Sequence, residues 1–199
     1  MKTILAALAL CLLTACATVR PGNQSAEVRA EQTLSVSLAA LDSFVAFEHR
    51  RRADVPALVR DVAARVRLNA HRALDSANAL RLAYKGNRTA ANEAGLLTAL
   101  AVVESLVSEI RVWVPATSAS GPGASPVADL IREARASQTV TAQSWVALVP
   151  VFVDLAREIY AVVNRTREAV KQDAEWTLAE EADFAVKLAA LKTAEHWRQ

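Results

Sequence analysis

The sequence predicts an all-α protein, built as an antiparallel bundle of long amphipathic helices. Alanine is very abundant among the 199 residues, leucine, arginine and glutamate are frequent, and there are only five glycines, a composition typical of helices. Apolar residues also recur in steps of three and four along three successive segments, as on one face of a helix. The links between these segments are short, which makes neighbouring helices antiparallel.

The first helix is predicted from Ser25 to about Arg52. Ser25 is the expected N-cap, and Glu27 and Glu31 follow near the positive end of the helix dipole. The expected buried stripe consists of Val28, Leu34, Leu38, Leu41 and Val45, with Phe44 and Phe47 beside it.

The second helix is predicted to begin after an Asp54 cap, with Pro56 in its first turn, and to end at Gly86-Asn87 in a left-handed cap. Its stripe is expected at Val55, Val59, Val62, Val66, Ala73, Ala77, Leu80 and Tyr84. Thr89 or Asn87 opens the third helix, whose stripe is Leu96, Leu100, Val103, Val107, Ile110 and Val114. Small residues along the apolar sides favour close approach of the helix backbones.

Beyond the Pro- and Gly-rich loop at 115–126, the apolar rhythm continues through Pro150, where we expect a kink. A single straight helix from Val127 to Arg198 would be about 105 Å long, far longer than the other three. Candidate breaks are a restart at Ser137 and a new cap at Asp173. The favoured architecture is therefore four long helices plus a C-terminal fifth. The alternative is three helices plus one long kinked helix.

The N-terminus carries a separate signal. Lys2 precedes an apolar run of about ten residues, Ile4 to Leu13, which is too short to span a bilayer. The run ends in Leu13-Thr14-Ala15-Cys16. This segment resembles the signal peptide and lipobox of bacterial lipoproteins. The resemblance implies a signal peptide at 1–15, a lipidated tether at 16–24 and a single helical-bundle domain at 25–199. An ordinary secretory signal with an incidental cysteine is the alternative.

In the lipoprotein family, the cysteine corresponding to Cys16 receives a diacylglyceryl group and its new amino group is acylated. The resemblance therefore implies palmitate labelling and a membrane partner reached through lipid. Ala17, in a place where aspartate commonly favours retention in the inner membrane, favours the outer membrane with the domain in the periplasm. The eight residues from Ala17 to Gln24 reach at most about 28 Å, so the folded part begins close to the lipid.

The sequence offers no set of catalytic, metal-binding or cofactor-binding residues. Its two cysteines are Cys11, in the signal, and Cys16. The three histidines have no metal-ligand spacing, and His49 and His196 are expected at the surface or at its boundary. Nucleic acid is not an expected partner because the mature chain is close to neutral. Glu180, Glu181 and Asp183 form a small acidic cluster that is expected on a solvated face, with a cation or partner site as the alternative.

The densest basic patch is Arg50-Arg51-Arg52. It lies one helix length from the tether and is a candidate binding site for a protein partner or the anionic cell wall, with a solvated turn as the alternative. The Lys85–Arg88 turn would return to the lipid side, where its cations could meet anionic head groups.

We therefore expect a non-enzymatic envelope lipoprotein with a structural or protein-interaction role. One alternative is a phage or prophage lipoprotein acting in lysis or superinfection exclusion. Another is a small-ligand carrier or enzyme with a pocket inside the bundle, near Trp145, Phe152 and Tyr160.

Overall fold

The computed structural model describes residues 25–111, 142–169 and 174–198. Its helices are α1 (Ala26–Arg50), α2 (Ala57–Gly86), α3 (Ala90–Arg111), α4 (Ala142–Ala169) and α5 (Leu178–Thr193), followed by a 3₁₀ turn, Glu195–Trp197. No strand occurs in these ranges. The predicted all-α bundle is confirmed.

The first helix forms as its sequence indicates. Ser25 is extended, and its hydroxyl accepts a hydrogen bond from the Val28 amide at 3.2 Å, which confirms the predicted N-cap. All five members of the predicted stripe are buried, together with Phe44 and Phe47. This face is therefore the side on which the other helices pack.

The turns around α2 differ from prediction at two points. Asp54 does not cap α2: the Asp54 amide donates to the Arg51 carbonyl, and Pro56, which has no side-chain cap, is the N-cap residue. The predicted left-handed cap at Gly86-Asn87 is also wrong, because Gly86 ends the helix and Asn87 is extended, with φ of −151°. Thr89 does open α3, since its hydroxyl accepts from the Asn92 amide at 3.2 Å.

The C-terminal half contains two helices. Pro150 lies inside α4, which continues on both sides of it, as predicted. A separate helix α5 then begins after Thr177, so the architecture with a fifth helix is confirmed. Thr177 and Glu180 form a capping box, in which the Glu180 amide donates to the Thr177 hydroxyl and the Glu180 carboxylate accepts from the Thr177 amide. The predicted breaks at Ser137 and Asp173, the 115–126 loop and Val114 lie outside the described residues.

The core is centred on α1, which packs against α2, α3 and α4, while α5 contacts α2 and α1. Several alanines belong to this core: Ala30, Ala40, Ala63, Ala70 and Ala77 are almost fully buried. Contacts at both ends show that α1 and α2 are antiparallel, because Glu27 meets Arg88 just past α2 and Glu48 meets Arg67 nearer its start. This arrangement brings the start of α1, the end of α2 and the start of α5 together at one end of the bundle.

Candidate functional site

Seven charged residues meet at the end of the bundle where α1 begins. We call them the charge cluster: Glu27 and Glu31 of α1, Arg81 and Lys85 of α2, Arg88 of the following turn, Glu175 before α5, and Glu181 within it. Four carboxylates therefore face three cations. Glu27, Glu31 and Arg81 are buried, which is rare for charged residues unless they are paired.

Arg81 is the centre of the cluster and is only 1% exposed. Its Nη1 lies 2.8 Å from Oε1 of Glu31, 3.1 Å from Oε1 of Glu181 and 3.8 Å from Oε1 of Glu27. Its guanidinium carbon also lies 4.8 Å from the centroid of the Trp176 ring, at the distance of a cation–π contact. One side chain thus joins α1, α2 and α5.

Two more cations close the cluster toward solvent. Nζ of Lys85 donates to Oε1 of Glu181 at 2.6 Å. Arg88 donates to Oε2 of Glu27 at 2.8 Å and to Oε1 of Glu175 at 2.6 Å. Lys85 and Arg88 thus lie near the start of α1, and both are paired with carboxylates of the protein. They are therefore poorly placed to serve as free contacts for anionic head groups. The predicted contact of these cations with head groups stays a prediction.

The expectation that Glu180, Glu181 and Asp183 share one solvated face is wrong for Glu181. Glu180 is used in the capping box, and Asp183 pairs with Lys187 on the exposed side at 2.6 Å. Glu181 instead turns toward α2. The hydrogen bond from Lys85 and the nearby Arg81 hold the pKa of Glu181 below its usual range.

Glu31 has the opposite environment. Its Oε2 accepts the backbone amide of Trp176 at 2.8 Å and its Oε1 accepts from Arg81. Burial nevertheless outweighs these contacts and raises the pKa of the Glu31 carboxyl. Glu31 therefore fastens the segment before α5 to α1 while remaining easier to protonate than an exposed glutamate.

The oxygens of Glu27, Glu31 and Glu181 lie within 4.8 Å of one another, close enough to hold a metal ion in principle. Arg81 Nη1, however, lies within 3.8 Å of an oxygen of each. An ion between the carboxylates would have to displace a guanidinium that already supplies positive charge and hydrogen bonds. The arrangement is best suited to joining helices.

A second network lies farther along α1. Glu48, fully buried, accepts a hydrogen bond from Arg67 of α2. Arg67 Nε also donates to the carbonyl of His196 at 2.7 Å, which fastens the C-terminal turn to α2. His196 lies at the boundary between core and surface, as predicted, and its Nε2 lies 2.8 Å from Oδ1 of Asp42.

The sequence carried a signal for both networks that the apolar stripe alone did not reveal. Glu27, Glu31 and Glu48 continue the three–four spacing of the buried positions of α1. Arg67 and Arg81 do the same on α2, at seven-residue intervals about the buried Leu74. A charged residue in a core position predicts a buried partner of opposite charge on the facing helix.

The three arginines of the predicted binding patch lie at the opposite end of α1 and are about half exposed. Arg50 pairs with Glu158 of α4, Arg51 lies 3.6 Å from Asp154, and Arg52 lies 3.9 Å from Glu48. Two arginines of the patch thus pair with acidic residues of α4. A partner-binding role for Arg50, Arg51 and Arg52 stays a prediction.

The pocket predicted near Trp145, Phe152 and Tyr160 stays a prediction, because two of these three side chains lie outside the described residues. Leu155, Ala156 and Ile159 are buried, whereas Tyr160 is exposed; the side chains of Trp145 and Phe152 lie outside the description. A shallow groove of about 770 Å³ lies instead between α2 and α3, lined in part by Ala73, Ser76, Thr98 and Val102. It carries no clustered ionisable groups.

Within the described ranges, no helix is both long enough and apolar enough to cross a membrane. Cys16 and the lipobox lie outside those ranges. The fold thus defines the class of an all-α helical bundle. Neither a family model, nor a curated protein, nor a solved structure matches the chain.

Proposed function

We propose that the protein is a lipid-anchored lipoprotein of the bacterial outer membrane, whose helical bundle has a structural or protein-interaction role in the periplasm. The observation that carries the proposal is the sequence Leu13-Thr14-Ala15-Cys16 directly after a short apolar run. Each buried acyl CH₂ contributes about 0.8 kcal/mol, so two or three acyl chains anchor a protein stably without a spanning helix.

The position of the charge cluster supports an orientation for this proposal. Since α1 begins at Ala26, the end of the bundle that holds the cluster lies closest in the chain to Cys16. Lys85 and Arg88 at this end are paired with glutamates, so attachment depends on the lipid rather than on attraction to head groups. The Arg50–Arg52 patch then faces away from the membrane.

The test of the anchor is Cys16→Ser, examined by membrane fractionation and palmitate labelling. The wild-type chain should take up the label and remain with the outer-membrane fraction, whereas the variant should be unlabelled and appear in the soluble periplasmic fraction. A variant that stayed membrane-bound beside an unlabelled wild type would refute the anchor.

The interaction role is tested at the distal arginines. Changing Arg50, Arg51 and Arg52 to serine should lower retention on isolated sacculi if this end binds the anionic cell wall. The matched control is Asp154→Asn with Glu158→Gln, which removes the α4 pairs but leaves the arginines. Retention should then be kept or increased. Equal losses in the two variants would instead indicate that only the contact between α1 and α4 was damaged, and unchanged retention in the serine variant would exclude the cell wall as the partner.

A further inference from the structure

All three histidines of the chain converge at the C-terminal 3₁₀ turn, although they lie far apart in sequence. The ring centroids of His71 and Trp197 are 5.1 Å apart, those of His49 and His196 are 6.5 Å apart, and those of His196 and Trp197 are 6.4 Å apart. The three rings come from α1, α2 and the turn itself. His49 and His71 therefore lie next to the turn that contains His196.

The turn is docked by a small number of specific contacts. Trp197 is only 5% exposed, and its Nε1 donates to Oδ1 of Asp42 at 2.7 Å. His196 contributes its carbonyl, which accepts from Arg67, and its Nε2, which lies 2.8 Å from the same Asp42 oxygen. The turn itself contacts α1 and α5. A few polar contacts and one aromatic ring thus hold the C-terminus in place.

The surroundings of His71 favour a neutral imidazole in this docked state. Nδ1 of His49 and Nδ1 of His71 are both buried, and neither has a hydrogen-bond partner in the described part of the chain. A neutral imidazole tolerates this, because a ring nitrogen without a proton needs no acceptor. An imidazolium carries a proton on both nitrogens, so protonation would bury an unsatisfied donor together with a charge.

We propose that the turn Glu195–Trp197 is an acid-released latch, held on α1 and α2 while His71 is neutral and set free when His71 is protonated. Release moves Trp197 off the His71 ring and lets water reach the charged imidazole. It also uncovers the buried Trp197 ring beside the partly exposed Asp42, so this aromatic surface becomes accessible only under acidic conditions.

The charged groups around the turn do little to oppose its release in acid. Asp42 opposes release because it would attract a protonated His196, but its side chain is 42% exposed and the pair is screened by solvent. Near His49, Glu48 forms an ion pair with Arg67, and Glu158 of α4 forms one with Arg50. Near His71, Asp75 is paired with Lys192 of α5 at 2.8 Å.

Burial lowers the pKa of His71; Asp75 partly offsets the effect and Lys192 adds to it. A histidine whose pKa is lowered by docking stabilises the docked state fully above its ordinary pKa of 6.5. That stabilisation is lost as the pH falls through the lowered pKa. The latch should therefore open on the acid side of neutrality.

Hydrogen–deuterium exchange of the full-length chain can test the latch. The exchange rate of the C-terminal peptide, divided by its intrinsic rate at each pH, should rise about tenfold for each unit by which docking lowers a histidine pKa. A peptide from the middle of α3 is the internal control and should keep its protection. The matched variant is His71→Gln, which is neutral at every pH and should show a smaller loss of C-terminal protection on acidification.

Protection that is constant from about pH 7.5 to 5, or that falls equally in wild type and His71→Gln, would overturn the latch. If His71→Gln is undocked at neutral pH, the wild type is followed by NMR instead. Solvent protection of the Trp197 indole N–H, assigned with Trp197→Phe, should then be lost in step with the titration of His71. An indole that stays protected through that titration would also overturn the proposal.

Discussion

Arg81→Met is the sharpest test of the charge cluster. The substitution keeps a long, unbranched helix former in α2 but removes the cation that lies within 3.8 Å of Glu27, Glu31 and Glu181. Glu27 and Glu31 are almost fully buried and would lose much of their compensation. Removing one partner of a buried ion pair costs about 3–5 kcal/mol, so we expect the free energy of unfolding to fall by that amount.

The matched control is Arg65→Met in the same helix. Arg65 lies 3.4 Å from Glu109, but both side chains are more than one-third exposed, and such a pair contributes about 0–1 kcal/mol. Both variants are measured at neutral pH by guanidinium unfolding, followed by the helical circular dichroism signal. An Arg81→Met variant whose unfolding free energy falls no further than that of Arg65→Met would refute the reasoning that the cluster depends on its buried cation.

The same variant should respond to pH in a defined direction. In the wild type the pKa of Glu31 is raised above 4.5, its ordinary value in the unfolded chain. The Glu31 carboxyl therefore binds a proton more readily in the folded protein than in the unfolded chain. Lowering the pH through the raised pKa therefore relieves a penalty instead of creating one. Without Arg81 the penalty is larger, so the deficit of Arg81→Met should shrink as the pH falls. A deficit that grows on acidification would contradict this account of Glu31.

Three further predictions concern stability. Thr177→Ala removes the capping box of α5 and should cost about 1 kcal/mol, whereas Thr193→Ala, in the last turn of the same helix, should cost less; thermal unfolding compares them, and equal losses would argue against the cap. Ala63→Leu should lower the free energy of unfolding by about 1–3 kcal/mol, because Ala63 is fully buried. Ala64→Leu, on the exposed side of the same helix, should change it by no more than about 0.5 kcal/mol. A tolerated Ala63→Leu would mean that the packing around Ala63 has room for a larger side chain. Glu181→Gln should lower the free energy of unfolding at neutral pH and make it decline less steeply below pH 4.5. The lowered pKa of the Glu181 carboxyl stabilises the fold above pH 4.5, and this contribution is lost as the pH falls through the lowered pKa. Denaturant unfolding at a series of pH values measures this, and an unchanged acid slope in the variant would exclude the contribution.

Periodicity was enough to predict the helices because burial of one face is what stabilises an amphipathic helix. The stripe of α1 and the cap at Ser25 are both as predicted. The turns were harder to predict. Asp54 has a side chain suited to an N-cap. Its backbone amide, however, donates to the Arg51 carbonyl and closes a turn at this point, so α2 begins only after Pro56. Local preference was overridden by the path of the preceding turn.

The charge cluster could not be predicted as a cluster from the sequence. Glu27 and Glu31 were assigned to the helix dipole, a local effect, and Glu181 to solvent. Their true partner, Arg81, lies 50 residues from Glu31 and 100 from Glu181, and only the folding of α2 and α5 onto α1 brings them together. The convergence of His49, His71 and His196 has the same origin. Spacing along one helix reports the face on which a residue lies but not the residue that it meets.

The two buried glutamate–arginine networks also explain how a core so rich in alanine can select one alignment of its helices. Small apolar residues pack about equally well in neighbouring registers, so the stripes of α1 and α2 alone leave a shift of one heptad open. Such a shift would carry Glu31 away from Arg81 and Glu48 away from Arg67, leaving buried charges unpaired at both ends of the contact. Breaking a buried pair costs about 3–5 kcal/mol, a large part of the stability of a typical domain. We infer that these charges contribute less to total stability than to excluding shifted alignments, and that their positions near the two ends of α1 hold the helix pair in register along its whole length.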